Sequence, residues 1–163
     1  PIFAQVVNFY GEKLYWQIRK MVLDHDDAND LLQNTFLKAW MNIDYFRGEA
    51  KLSTWLYKIA INECITFLNR QRMQNNVSID DTDVFLLECL KGDEYFDGDA
   101  AQMKLQKAIL TLPEKQRAVF NMKYFDDMKY EDMSEIFGTS VGALKASYHH
   151  AVKKVEEFLT KDI

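Results

Sequence analysis

The sequence predicts an all-α protein of two small helical domains, the second a helix-turn-helix, joined by an acidic linker. Three observations carry that expectation. Apolar residues recur at three- and four-residue spacing over most of the chain, the period of an amphipathic helix. That period breaks between residues 73 and 99, where Asn75-Asn76, Asp80-Asp81 and Gly92-Asp93 are turn or loop signals. Charge is distributed unevenly as well: residues 1–72 hold nine basic and eight acidic side chains, residues 73–100 one and eight, residues 101–163 ten and nine. The net charge of −5 therefore sits in the middle segment, and the expected boundaries are 1–72, 73–100 and 101–163.

In chain order, Val7, Tyr10, Leu14, Ile18 and Met21/Val22 mark the apolar face of a first helix. Asp24 to Asp27 form an acidic start for a second, favourable at the positive end of a helix dipole. Ala28, Leu31, Leu32, Ala39, Trp40 and Ile43 line its expected core stripe, with Asp30, Gln33, Asn34 and Lys38 outward; plain solvation accounts for that polar face. An aromatic and basic loop, Tyr45-Phe46-Arg47-Gly48, leads to a helix expected to start near Ser53, whose hydroxyl and that of Thr54 can accept unpaired amide protons. Leu56, Ile59, Ala60, Glu63/Cys64 and Phe67 repeat along it, with Lys58 and Asn62 off the apolar stripe. Rings beside cations and amides suit a surface that stacks and holds unpaired bases. Residue chemistry alone leaves base capture and plain packing level.

Within the connector, Val84 to Leu90 is a short apolar patch able to form a helical turn or to dock. Periodicity returns with Leu105, Ala108, Ile109 and Leu112; Pro113 suits the first turn of the next helix, whose core continues through Val119, Phe120 and Tyr124. Tyr130, Met133, Ile136 and Phe137 make a short helix, Gly138 offers a left-handed stop, and Thr139 or Ser140 can cap a final helix packed through Val141, Leu144, Tyr148, Ala151, Val155 and Phe158. Two helices joined by a short glycine-containing turn match a helix-turn-helix. Lys145, Ser147, His149 and His150 lie toward the exposed side of its last helix, where a major groove is read. Cations are few there, so phosphate contacts are few and binding by this domain alone is expected to be weak and salt-sensitive.

Several function classes are disfavoured. There is no uncharged apolar run of about 18 residues, so no membrane insertion is expected. The start Pro1-Ile2-Phe3-Ala4 lacks the features of a secretory signal, and its lack of an initiator Met points to processing or truncation. Cys64 and Cys89 have no metal or redox spacing and read as reduced packing residues of a cytoplasmic protein. Adjacent His149 and His150 diverge by about 100° on a helix, so no metal is expected there. With no phosphate loop, nucleophile elbow or Cys/His site, neither a cofactor nor an enzymatic activity is expected.

Together these segments resemble the extracytoplasmic-function (ECF) sigma factors of bacterial RNA polymerase. Asp26-Asp27-Ala28-Asn29-Asp30-Leu31-Leu32-Gln33-Asn34-Thr35-Phe36-Leu37-Lys38-Ala39-Trp40 resembles the family's polymerase-docking helix. Phe46-Arg47-Gly48-Glu49 followed by Ser53-Thr54-Trp55-Leu56-Tyr57-Lys58-Ile59-Ala60-Ile61-Asn62 is similar to its promoter −10 segment. Leu112-Pro113-Glu114-Lys115-Gln116-Arg117 and Ser140-Val141-Gly142-Ala143-Leu144-Lys145 resemble its −35 domain.

The resemblance implies that Asp30, Gln33, Asn34 and Lys38 bind the beta-prime clamp helices of core RNA polymerase. Phe46, Arg47, Lys51, Trp55, Lys58 and Asn62 would serve the −10 element, melting promoter DNA and capturing a flipped base, with Arg117, Lys145, Ser147, His149 and His150 at the −35 element. The acidic linker would follow the RNA exit path, and an anti-sigma factor is an expected partner. Lys145, Ser147 and His150 stand where the family commonly carries arginines, and Ala143 replaces a frequent threonine, so a weaker or differently pitched −35 contact is expected. The rival of a different class is a stand-alone helix-turn-helix repressor, which has no use for a polymerase-docking face.

Overall fold

The computed structural model describes residues 2–46, 48, 51–74 and 100–161, which form seven α-helices and one 3-10 helix, with no strand among the described residues. The N-terminal helices are α1 (Ile2–Val22), α2 (His25–Met41) and α3 (Leu52–Gln74), with the 3-10 helix Ile43–Tyr45 following α2. The C-terminal helices are α4 (Ala100–Leu110), α5 (Glu114–Tyr124), α6 (Tyr130–Phe137) and α7 (Val141–Thr160). The apolar segment Val84 to Leu90, Cys89 and Arg47 lie outside the described residues.

The α1–α2 corner is held by side-chain chemistry. Leu23 adopts φ +68°, a left-handed conformation costing about 1–2 kcal/mol in a residue with a Cβ. Buried Arg19 clamps it: Nε donates to the Leu23 carbonyl at 2.6 Å and Nη1 to the Tyr15 hydroxyl at 2.8 Å. That hydroxyl lies 2.6 Å from His25 Nδ1, tying the first helix to the start of the second. Asp24 caps α2 by accepting from the Asp27 amide at 3.0 Å, as its acidic start predicts.

Leu14, Ile18, Met21 and Val22 are buried on α1, as the periodicity indicates. On α3 the expected Leu56, Ala60 and Cys64 are buried, but so are Thr54, Ile61 and Leu68. The additional burial follows from position: α3 packs against α1 and α2 and also against α5 and α6. The apolar cluster consequently continues from Leu14, Leu56 and Leu68 into Val119, Met122, Met133, Ile136 and Leu144. A second cluster of Ala108, Ile109, Leu112, Phe120, Ala151 and Val155 holds α4, α5 and α7 together.

Gly138 ends α6 at φ +64°, with its amide bonded to the Ser134 carbonyl at 2.9 Å, and Ser140 caps α7 by accepting from the Ala143 amide at 3.2 Å. Four expectations need correction. Trp40 is 58% exposed and Ile43 is also exposed, because Thr35, Phe36 and Ala39 take the buried side of α2 instead. Tyr124 is exposed, covering Phe120 with a stacked ring 5.2 Å away rather than entering the core. Pro113 stands at the N-cap of α5, one residue earlier than expected. The expected start of α3 near Ser53 holds, since the helix begins at Leu52 with Ser53 and Thr54 within its first turn.

The two halves meet along a seam containing many polar groups. Buried Arg117 of α5 donates from Nη2 to the Met21 carbonyl at 3.2 Å. Asn121 Nδ2 lies 3.9 Å from Met21 Sδ, and buried Gln17 donates to Asp126. Arg72 at the end of α3 pairs with Glu114 at 2.8 Å, and Lys51 reaches Asp132 at 3.4 Å. Lys20 sits 4.3 Å from the centre of the Phe125 ring. Loss of water at this seam raises the Asp126 carboxyl and lowers the Lys20 ammonium from their ordinary values, even though each charge favours the other's ionised form.

Two outcomes test this packing. Gly138→Ala, which forces a Cβ into the left-handed region, should lower stability by about 1 kcal/mol in denaturant unfolding; an unchanged midpoint contradicts the assigned turn. Burial pushes the Cys64 thiol up to about 12, so at pH 8 iodoacetamide should leave Cys64 unmodified in the native chain and alkylate it after unfolding. Peptide mass spectrometry distinguishes this site from Cys89, and equal native and unfolded labelling of Cys64 contradicts the burial.

Candidate nucleic-acid and polymerase interface

The outward side of α2 is built by helical spacing. Asp30, Gln33, Asn34 and Lys38 are all exposed, and Lys38 forms an ion pair with Glu63 of α3. Leu37 and Trp40 follow Gln33 by four and seven residues, so they share its face and are exposed too. With Phe3, Val7 and Phe36 they border an apolar groove of about 590 Å³ between α1 and α2. Phe3 meets Trp40 edge-on at 5.1 Å and Phe36 at 6.4 Å. The periodic signal that assigns Gln33 to the surface could have found Trp40; its hydrophobicity masked that placement.

The aromatic loop and α3 make the second group. Phe46 lies 5.1 Å from Trp55 with ring planes inclined by 38°, and both rings are half-buried. Trp55 packs against the core cluster and is partly exposed. Lys58 and Asn62 follow it by three and seven residues and are exposed, so Trp55, Lys58 and Asn62 form one line along α3. Lys51 is exposed and leans towards α6 through Asp132. A half-buried ring backed by packed helices, with a cation and an amide further along, can accept the face of a base at small conformational cost.

The third group lies at the start of α7. Lys145, His149 and His150 are exposed and Ser147 is half-buried. The Lys145 ammonium is 5.7 Å from the Tyr130 ring centre, and the two imidazole centres are 6.1 Å apart. Arg117, expected to join these residues, does not: it is 1% exposed and faces the carbonyl end of α1. Its position in α5 directs it toward the seam. Among the described residues no group of three or more His, Cys, Asp or Glu side chains is placed to hold a metal ion. No helix among the described residues is long and apolar enough to cross a membrane.

The two halves match two segments of a known family. Residues 6–73 match "Sigma-70 region 2" and residues 102–155 match "Sigma-70, region 4". The ECF RNA polymerase sigma factor SigW of Bacillus subtilis is 30% identical over 155 residues, covering 90% of this chain and 83% of that protein. The RNA polymerase sigma factor SigV of the same organism is 30% identical over 161 residues, covering 99% and 93%. The chain belongs to the ECF group of the sigma-70 family.

It is therefore an RNA polymerase sigma factor, a transcription initiation factor, and a stand-alone repressor is not favoured. Two solved structures share its fold: the sigma factor RpoE of Bartonella quintana, in complex with the anti-sigma factor NepR, aligns with a TM-score of 0.73 at 24% identity over 99% of this chain and 98% of that one. CnrH, solved with the cytosolic domain of CnrY, aligns with a TM-score of 0.70 at 20% identity over 99% and 89%. All-α architecture and ECF membership, both expected from the sequence, hold.

Proposed function

We propose that this ECF sigma factor divides promoter recognition among the three exposed groups, with residues 1–72 and 101–163 as its two domains and 73–100 as the connector. The α2 face of Asp30, Gln33, Asn34 and Lys38 docks on the beta-prime clamp helices of core polymerase, and Leu37 and Trp40 add an apolar anchor beside it. Phe46, Trp55, Lys58 and Asn62, with Lys51 and Arg47 flanking, capture an unstacked non-template base of the −10 element. Lys145, Ser147, His149 and His150 contact the −35 element.

The observation that carries this reading is the accessible line Trp55, Lys58 and Asn62, backed by Phe46, within the segment that matches sigma-70 region 2. Stacking contributes about 1–3 kcal/mol per base, which offsets the few kcal/mol needed to unstack one. The protein performs no covalent chemistry in this account; preferential binding of opened DNA drives melting. Its place of action is the cytoplasm, with polymerase and chromosome. An anti-sigma factor as a further partner is supported by the complex of one structural relative, RpoE of Bartonella quintana, with the anti-sigma factor NepR.

Run-off transcription with core polymerase, on a promoter selected by the reconstituted holoenzyme from a genomic library, tests the assignment. Trp55→Ala and Asn62→Ala should each lower open-complex formation by about 5- to 150-fold, the equivalent of 1–3 kcal/mol, while polymerase capture persists. Unchanged open-complex formation in both variants removes the base-capture role. Trp40→Ala should instead weaken capture of core polymerase by about 30-fold, a typical loss for a tryptophan anchor; undiminished capture rejects the apolar anchor.

A further inference from the structure

We propose that Tyr130 is a positioning residue for DNA recognition: its ring holds the Lys145 ammonium at the start of α6, where it meets a backbone phosphate rather than a base edge. The inference rests on the −35 role proposed for α7 and deepens it by separating one of those contacts from sequence reading. Tyr130 is the first residue of α6, half-buried, and it packs against the larger apolar cluster. The Lys145 ammonium lies 5.7 Å from its ring centre and the Lys123 ammonium 4.5 Å. Lys123 is tied down within its own turn, donating to the Met128 carbonyl at 3.1 Å and lying 3.8 Å from the Asp127 carboxylate. Lys145 is exposed on the last helix.

Packing decides where Lys145 can reach. Leu144 is buried beside it and Tyr148 is half-buried one turn on, which fixes the rotation of α7 and presents Lys145 to the start of α6. In a docked helix-turn-helix the second helix lies in the major groove and the first crosses the DNA backbone. An ammonium drawn to the start of the first helix is therefore on the backbone side. The negative face of the ring attracts it. An ammonium carries three N–H donors, so it can rest against the ring and still donate outward to a phosphate oxygen. An exposed lysine has many rotamers, and a ring that already restricts it lowers the entropy lost on binding.

The reconstituted holoenzyme on the selected promoter tests this over a series of salt concentrations. Lys145→Gln should weaken binding alike with the −35 element intact or scrambled, and should lower the slope of log affinity against log salt by about 0.9. Tyr130→Phe should keep wild-type affinity. Tyr130→pentafluorophenylalanine, which keeps a ring of similar size but inverts its quadrupole, should bind about two- to fivefold more weakly. In the Lys145→Gln background the fluorinated ring should have no further effect. Equal binding by the phenylalanine and pentafluorophenylalanine variants overturns the positioning role, as does an equal loss in the Lys145→Gln background. Loss of discrimination between intact and scrambled −35 elements in Lys145→Gln assigns Lys145 to a base and overturns the phosphate contact. Unchanged affinity and salt slope in Lys145→Gln remove Lys145 from DNA altogether, which defeats its −35 assignment as well as the inference.

Discussion

Alpha 3 is the constraint on which the other elements depend, since it must satisfy two packing surfaces and still leave one side free. One surface meets α1 and α2, and another meets α5 and α6. Leu56, Ala60, Cys64 and Leu68 have almost no exposed area, and fully burying a leucine contributes about 1.5–3 kcal/mol. The remaining side carries Lys58 and Asn62 in line with half-buried Trp55. A helix fixed on both flanks can hold an aromatic ring and an amide in register for a ligand without ordering them at the moment of binding, which lowers the entropic cost of recognition.

The same packing joins apolar continuity to polar fastening. Val119, Met122, Met133, Ile136 and Leu144 extend the N-terminal cluster into the C-terminal helices, while Arg117, Gln17 and Arg72 contribute directional contacts across the join. The separate cluster of Ala108, Ile109, Leu112, Phe120, Ala151 and Val155 means that α4, α5 and α7 retain apolar packing of their own if that join opens. Helix-turn-helix geometry is likewise local: Gly138 sets the turn and Ser140 starts the last helix without help from the other half.

Much of the fold was legible in the sequence because it is written in short-range rules. The Asp24 cap, the Gly138 stop, the Ser140 cap and the period of Leu14, Ile18, Leu56, Ala60 and Leu144 each depend on neighbours within a few residues. The errors of burial concern long-range packing. Trp40 and Tyr124 have apolar rings and helical spacing, but their depth depends on how much room the opposing helices leave. Arg117 is the converse case: charge predicts exposure, and only the approach of α1 supplies the carbonyl that lets it be buried. The exposed positions proposed for polymerase and promoter were readable as positions sharing a helix face, whereas the groove formed with Phe3 and Val7 required two helices to be brought together.

The central claim is that the half-buried ring of Trp55 meets a base of opened DNA. The most direct measurement replaces that ring with a photoreactive one, Trp55→p-benzoylphenylalanine, and irradiates the holoenzyme on a promoter labelled in each strand separately. The account predicts a covalent adduct on the non-template strand within the −10 element, formed only once the duplex has opened. Efficient initiation by this variant with no adduct on either strand would contradict it.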